Sequence, residues 1–318
     1  MSNLLGQRSV IKPPPLKARD RVALLSPASR PDSPAIVARA ARIVENLGLD
    51  PVIGRNALSL HGYLAGTDEQ RLADLQSAMD DPSIKAIFCL TGGYGCLRLI
   101  DKLDYSGLRK NPKIVLGSDE NTSLLLAIHK WTDLVCLHGA NLDRVDSQKG
   151  FDVLHKAVTD TQNWISVQSD AFPAEFCYST AGGVAEGRLL GGNLSAISSM
   201  MGTRHEPDIT NSILFLEDKN ERNDILDRWF TTLYVSGQLR KVRGVVVGTF
   251  ENCGPKGTLS MLSIEDTFGE RLKEMNIPNC FGLPIGQSSA SRIIPVGVNA
   301  LLDADKGVLE FLEPALSW

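Results

Sequence analysis

The sequence predicts an α/β fold, with a parallel-sheet N-terminal domain followed by a β-rich, mixed C-terminal domain. Three observations carry that reading. Short apolar runs alternate with segments of helical periodicity between residues 21 and 137, as expected of a parallel sheet covered on both faces. From residue 181 onward the texture changes to Gly-rich short apolar runs with helices between them. The chain has 318 residues, enough for about two domains.

Residues 1–15 are polar and end in Pro13-Pro14-Pro15, which reads as a flexible leader. The N-terminal domain is expected over 16–142. Arg21-Val22-Ala23-Leu24-Leu25 is a buried strand closed by Ser26-Pro27. Residues 34–48 carry Ile36, Ala40, Ile43, Val44 and Leu47 at helical spacing, with Gly48 as the stop. A second strand starts at Asp50-Pro51-Val52-Ile53. Thr67 can cap the following helix, over 67–79, and Asp68 and Glu69 suit its positive end. Strands over 85–90, 113–116 and 134–137 follow, with helical segments at 97–100 and 123–131. Residues 143–180 are polar and weakly periodic, a connector with one helix near 150–159. The C-terminal domain, 181–318, has expected strands at 184–190, 212–216, 244–248, 296–302 and 308–312. Its expected helices lie near 193–201, 223–236 and 262–275.

Composition narrows the function. Lys+Arg total 33 against Asp+Glu 37, a formal charge of −4, which disfavours binding that rests on neutralising phosphates. The six cysteines form no CxxC pair, and no Cys/His cluster has zinc spacing, so neither a disulfide framework nor a metal site is expected. No signal-peptide pattern and no apolar run of membrane-spanning length occurs, which reads as a cytoplasmic protein without a membrane partner. The sequence gives no warrant for a cofactor. Its five histidines are His61, His129, His138, His155 and His205, so none lies in the C-terminal third.

In parallel sheets ligands bind beyond the carboxyl ends of the strands, and two glycine-rich turns fall there. Thr91-Gly92-Gly93-Tyr94-Gly95 lacks both the dinucleotide fingerprint and the Lys-Ser/Thr of a phosphate loop. Its backbone N–H groups nonetheless suit an anion or a developing oxyanion, although a tight strand-to-helix turn would look the same. Gly117-Ser118-Asp119-Glu120 is similar to the sharp elbow that presents a nucleophile between strand and helix. Capping explains its two acids equally well. Glu217-Asp218 follows the 212–216 strand, which either places a carboxylate in a cleft or forms a solvated loop. His138-Gly139 follows the fifth strand. Ser288, Ser289, Ser291 and Arg292 form a polar cluster after Gly282-Leu283-Pro284-Ile285-Gly286.

In order along the chain, these residues resemble the LD-carboxypeptidases, which include muramoyl-tetrapeptide carboxypeptidase and the microcin C self-immunity proteins. The resemblance rests on Ser26-Pro27-Ala28-Ser29, Ala65 to Arg71, Gly92-Gly93-Tyr94-Gly95 with Arg98-Leu99, and His138-Gly139. It continues through Gly187 to Leu194, Leu216-Glu217-Asp218, Asp227-Arg228, Gly282 to Gly286 and Pro295-Val296-Gly297-Val298. It implies a Rossmann-like N-terminal domain, a β-rich C-terminal domain, a homodimer, and an active site between the domains. It also implies amide hydrolysis at the carboxyl side of a peptide by a Ser-Glu-His triad.

Only the glutamate carries over, as Glu217. Counted from Gly117, the serine position holds Asp119, and Glu120 replaces the following aspartate. The histidine position after Gly286 holds Gln287, and Thr91 stands where the family has arginine. Glutamine cannot shuttle a proton, so hydrolysis by the family mechanism is not expected. Three readings stay open. The first is a repurposed enzyme in which Asp119, Glu120 and Glu217 do acid/base or Asp-nucleophile chemistry on a peptide-like or carboxylate-bearing small molecule. In it Gly92, Gly93, Tyr94, Gln287, Ser288 and His138 contribute oxyanion or substrate contacts. The second is an inactive protein that binds a peptide or amino-acid conjugate. The third is residual hydrolysis through Ser118.

Overall fold

The computed structural model describes residues 9–139, 142, 145, 147–162, 166–168, 178–254, 262–287 and 291–318. Two mixed layers of sheet and helix follow one another along the chain. The first contains β1 (Arg21–Leu25), α1 (Pro34–Asn46), β2 (Asp50–Ile53), α2 (Asp68–Asp80), β3 (Ile84–Cys89), α3 (Ser106–Lys110), β4 (Ile114–Gly117), α4 (Asn121–Thr132) and β5 (Cys136–His138). Strand order is β2-β1-β3-β4-β5, all parallel. The chain therefore reverses its direction of progress between β1 and β3, the kind of switch point at which open α/β sheets bind ligands beyond the carboxyl ends of the strands.

Local chemistry explains the boundaries. Thr67 caps α2 through a full capping box with Gln70, which satisfies two orphan N–H groups. α1 buries Val37, Ala40, Ile43 and Val44 and stops at Asn46, because Gly48 turns left-handed at φ 77°. The helical segment expected at 97–100 is only a 3-10 turn, Cys96–Arg98. Residues 9–15 do not trail as a leader: Ile11 bridges Leu134, and Pro13 and Pro15 are buried.

The second layer contains α5 (Gln148–Thr159), β6 (Ser166–Gln168), β7 (Val184–Asn193), α6 (Leu194–Met200), β8 (Ser212–Lys219), α7 (Asn223–Val235), β9 (Gly244–Glu251), α8 (Ile264–Met275), β10 (Asn279–Phe281), β12 (Asn299–Asp303) and β13 (Val308–Phe311), while β11 (Ile294–Val296) belongs to the first sheet. Its sheet runs β10-β9-β8-β7-β12-β13-β6. The β10 to β7 half is parallel and the rest antiparallel, the mixed character the sequence predicts.

One expected strand is divided. Residues 296–302 do not form a single strand, since Gly297, at φ 105°, breaks the run. β11 leaves to pair antiparallel with β5 at the edge of the first sheet, and β12 pairs with β7 in the second. A side chain at Gly297 would strike the His129 ring, its Cβ falling 2.3 Å from the nearest ring atom. This crossing ties the two sheets together.

Candidate active site

The elbow forms where β4 meets α4. Asp119 is its apex, with φ 58°, a left-handed conformation that costs a non-glycine residue energy. Ser118, one step earlier, is buried. Asn121, fully buried, donates through Nδ2 to the Ser118 carbonyl (2.9 Å) and the Thr91 carbonyl (3.0 Å), which locks the elbow to the glycine turn after β3. Asp119 Oδ2 accepts the Gly93 N–H at 2.9 Å. A Cβ on Gly92 would lie 2.3 Å from that same oxygen, so this approach requires glycine. The glycine turn is held from below by Arg71, whose guanidinium donates to the Gly95 carbonyl at 2.9 Å, to the Pro27 carbonyl, and to Asp68. Thr91 Oγ1 donates to the Ser29 carbonyl at 2.7 Å. Tyr94 is exposed and leans on Tyr63 with ring centroids 5.9 Å apart.

The Glu120 carboxyl also responds to this setting. Burial pushes its carboxyl up to about 7, against the Gly95 N–H, which favours the charged form, and with help from the Asp119 and Asp218 charges. Asp218 is pushed up to about 6, again mainly by burial and with help from Glu217, although Ser195 donates to it from both N–H (3.0 Å) and hydroxyl (2.6 Å).

Glu217 ends the apolar part of β8 and is fully buried. Gln287 Nε2 donates to its Oε2 at 3.2 Å. His138 Nε2 lies 3.5 Å from its Oε1, and the imidazole packs edge-on against Phe215. Neither His138 nitrogen nor Glu217 Oε1 has a hydrogen-bond partner among the described residues. His138 is thus a fully buried neighbour of Glu217. A direct link joins the two centres: Asn193, paired with Glu217 in the β7/β8 register, donates its N–H to Thr122 Oγ1 at 3.0 Å. Thr122 is three residues past Asp119. Ser288 lies outside the described residues.

Sequence reasoning did not single out Asn121, Asn193 or the Ser195–Asp218 pair. Asn193 carried a usable signal, since Gly-Gly-Asn at a strand end before a helix is a capping pattern, and its side chain does accept from Ala196 N–H. Among the described residues no group of His, Cys, Asp and Glu side chains could hold a metal ion.

Models of the LD-carboxypeptidase N-terminal domain and the LD-carboxypeptidase C-terminal domain match residues 22–139 and 186–302. The chain belongs to the LD-carboxypeptidase family. It is 35% identical to the "Probable murein peptide carboxypeptidase" of Bacillus subtilis (strain 168) over 92% of this chain and 91% of that protein. It is 34% identical to the murein tetrapeptide carboxypeptidase of Pseudomonas aeruginosa over 90% and 94%. The fold is similar to that of the microcin C7 self-immunity protein MccF in complex with aspartyl sulfamoyl adenosine. That likeness has a TM-score of 0.83 and 25% identity, covering 96% of this chain and all of that one. No helix among the described residues is long and apolar enough to cross a membrane.

Proposed function

We propose that this LD-carboxypeptidase relative is an enzyme whose cleft works with carboxylates on a peptide-like or carboxylate-bearing small molecule. The observation that carries the reading is the Asp119–Glu120 elbow. Its apex carboxylate sits on a backbone N–H, and the adjoining acid is pushed up to about 7. An acid with that affinity both gives and takes a proton near neutral pH. It can drive cyclisation, elimination, isomerisation or hydrolysis without the serine-histidine relay, with Asp119 as base or nucleophile. Glu217, held between Gln287 and His138, is the second carboxylate. The protein acts in the cytoplasm as a homodimer, in keeping with the family resemblance.

One observation favours a second reading. Asp119 itself takes the Gly93 N–H that would stabilise an oxyanion, which suits a protein that holds an aminoacyl conjugate without turning it over. Incubation with LD-linked muropeptides and aminoacyl-nucleotide conjugates, followed by mass spectrometry, separates these. Turnover lost in Asp119→Asn supports the enzyme. Binding of aspartyl sulfamoyl adenosine, the compound in the MccF complex, with no turnover of any conjugate supports the binding protein. Peptide cleavage abolished by Ser118→Ala refutes both.

A further inference from the structure

A second concavity lies beside β9 and β10, near enough to the carboxylates that the Asp218 and Glu217 charges reach its Cys253. Leu216, just before Glu217, pairs with Val247, and Val247 and Gly248 form one wall of a pocket of about 430 Å³. None of Asp119, Glu120, Glu217 or Gln287 lines it. The volume falls in the range of small-molecule sites, roughly 300–1,000 Å³.

Its lining has a definite chemistry. Tyr178 and Phe281 stack with centroids 4.7 Å apart and planes 6° from parallel, forming an aromatic wall. Asn223 is 92% buried at the start of α7 and contributes its amide. Its Nδ2 is committed to the Leu262 carbonyl at 2.9 Å, whereas its Oδ1 is buried with no hydrogen-bond partner among the described residues. A buried, unpaired amide oxygen is costly and marks the place of a missing donor. Glu265 lines the same pocket, and its charge, with that of Asp266, reaches the Tyr178 phenol, which burial and these acids hold protonated. A field of that sign disfavours anions.

We propose that this pocket is a binding site for a planar, hydrogen-bond-donating group, neutral or cationic, such as an aromatic carboxamide or amidine. The ring packs on the Tyr178–Phe281 wall, and an N–H of the ligand donates to Asn223 Oδ1. The site stands independently of the carboxylate chemistry proposed above, because binding and not turnover defines it.

A matched series tests it on the full chain: benzamide, benzamidine and benzoate share a ring but differ in donor and charge. Saturation-transfer NMR titration should show benzamide and benzamidine binding roughly tenfold or more tightly than benzoate. Cys253 lines the pocket, so saturating benzamide should slow its alkylation by N-ethylmaleimide several-fold, read by peptide mass mapping. Asn223→Ala should weaken benzamide by roughly tenfold. Equal binding of benzoate, no binding of benzamide in the millimolar range, unprotected Cys253 under saturating benzamide, or full affinity in a folded Asn223→Ala protein would each overturn the assignment. The wild-type arms decide the matter even if that variant does not fold.

Discussion

Glu120→Gln isolates a pH dependence of stability that the elbow builds in. The Glu120 carboxyl rises from 4.5 to about 7 on folding, chiefly through burial. A tenfold change in proton affinity is worth about 1.4 kcal/mol, so the full difference is about 3 kcal/mol, reduced to about 2–3 once partial solvent contact is allowed for. The sign follows from proton counting. Below the unfolded value both states hold the proton, and Glu120 does not bias folding. Between 4.5 and about 7 the folded chain keeps a proton that the unfolded chain releases, so stability falls as pH rises. Above about 7 the whole cost is present. Asp218 acts in the same direction, but its window closes near 6. Urea unfolding followed by circular dichroism should therefore show a loss between about pH 4.5 and about pH 7 that is larger in the wild type than in Glu120→Gln by about 2–3 kcal/mol, the variant keeping only the Asp218 part of it below about pH 6. The amide keeps an acceptor for the Gly95 N–H, so the variant should gain about 2 kcal/mol at the upper pH. Equal losses in the two proteins would refute the argument that burial raises this carboxyl.

Asp119→Ala loses the Gly93 N–H acceptor and keeps the left-handed backbone, whereas Asp119→Gly loses only the acceptor. Denaturant titration should find the alanine variant less stable than the glycine variant by about 1 kcal/mol. Gly191 has φ 149°, and a Cβ there would lie 2.0 Å from the Phe215 carbonyl. Gly191→Ala should therefore cost about 3 kcal/mol or more, seen as a lowered thermal midpoint or insoluble expression. Gln287 already reaches Glu217 at 3.2 Å, so the Asp119→Ser/Gln287→His double variant should release the terminal D-amino acid from an LD-linked tetrapeptide, while each single variant should not. Mass spectrometry of the products checks this.

Much of the architecture was legible because each parallel strand is a short apolar run bounded by turn residues. The Thr67 cap and the Gly48 stop were local and could be read directly. What could not be read depends on partners distant in the chain. β11 has three residues, and nothing in Ile-Pro-Val says that it will join β5 and not β12's sheet; that is decided by the turn at Gly297 against His129. The elbow was visible as a pattern, but the apex was not, because Ser118 and Asp119 both fit the turn until the backbone angle distinguishes them. His138 was expected among the substrate contacts, and its place against Glu217 follows from the packing of β5 on Phe215, which no local signal carries.

The two substituted positions have a common logic on the proposed reading. Asp119 keeps a hydrogen bond to the turn that an oxyanion would use, and Gln287 keeps a hydrogen bond to Glu217, so the scaffold's contacts survive both replacements. What is lost is proton traffic, since neither a glutamine nor a buried Ser118 can carry it. What is gained is a carboxyl, Glu120, whose affinity for protons lies near neutrality because the elbow buries it beside like charge. An elbow kept in a left-handed conformation by an acid, where glycine would relieve the strain, is maintained at a cost to the fold. That cost is intelligible if the apex carboxylate has work to do at the carboxyl end of β4, and the relocation of proton capacity from the C-terminal turn to α4 identifies the residue with which it would do it.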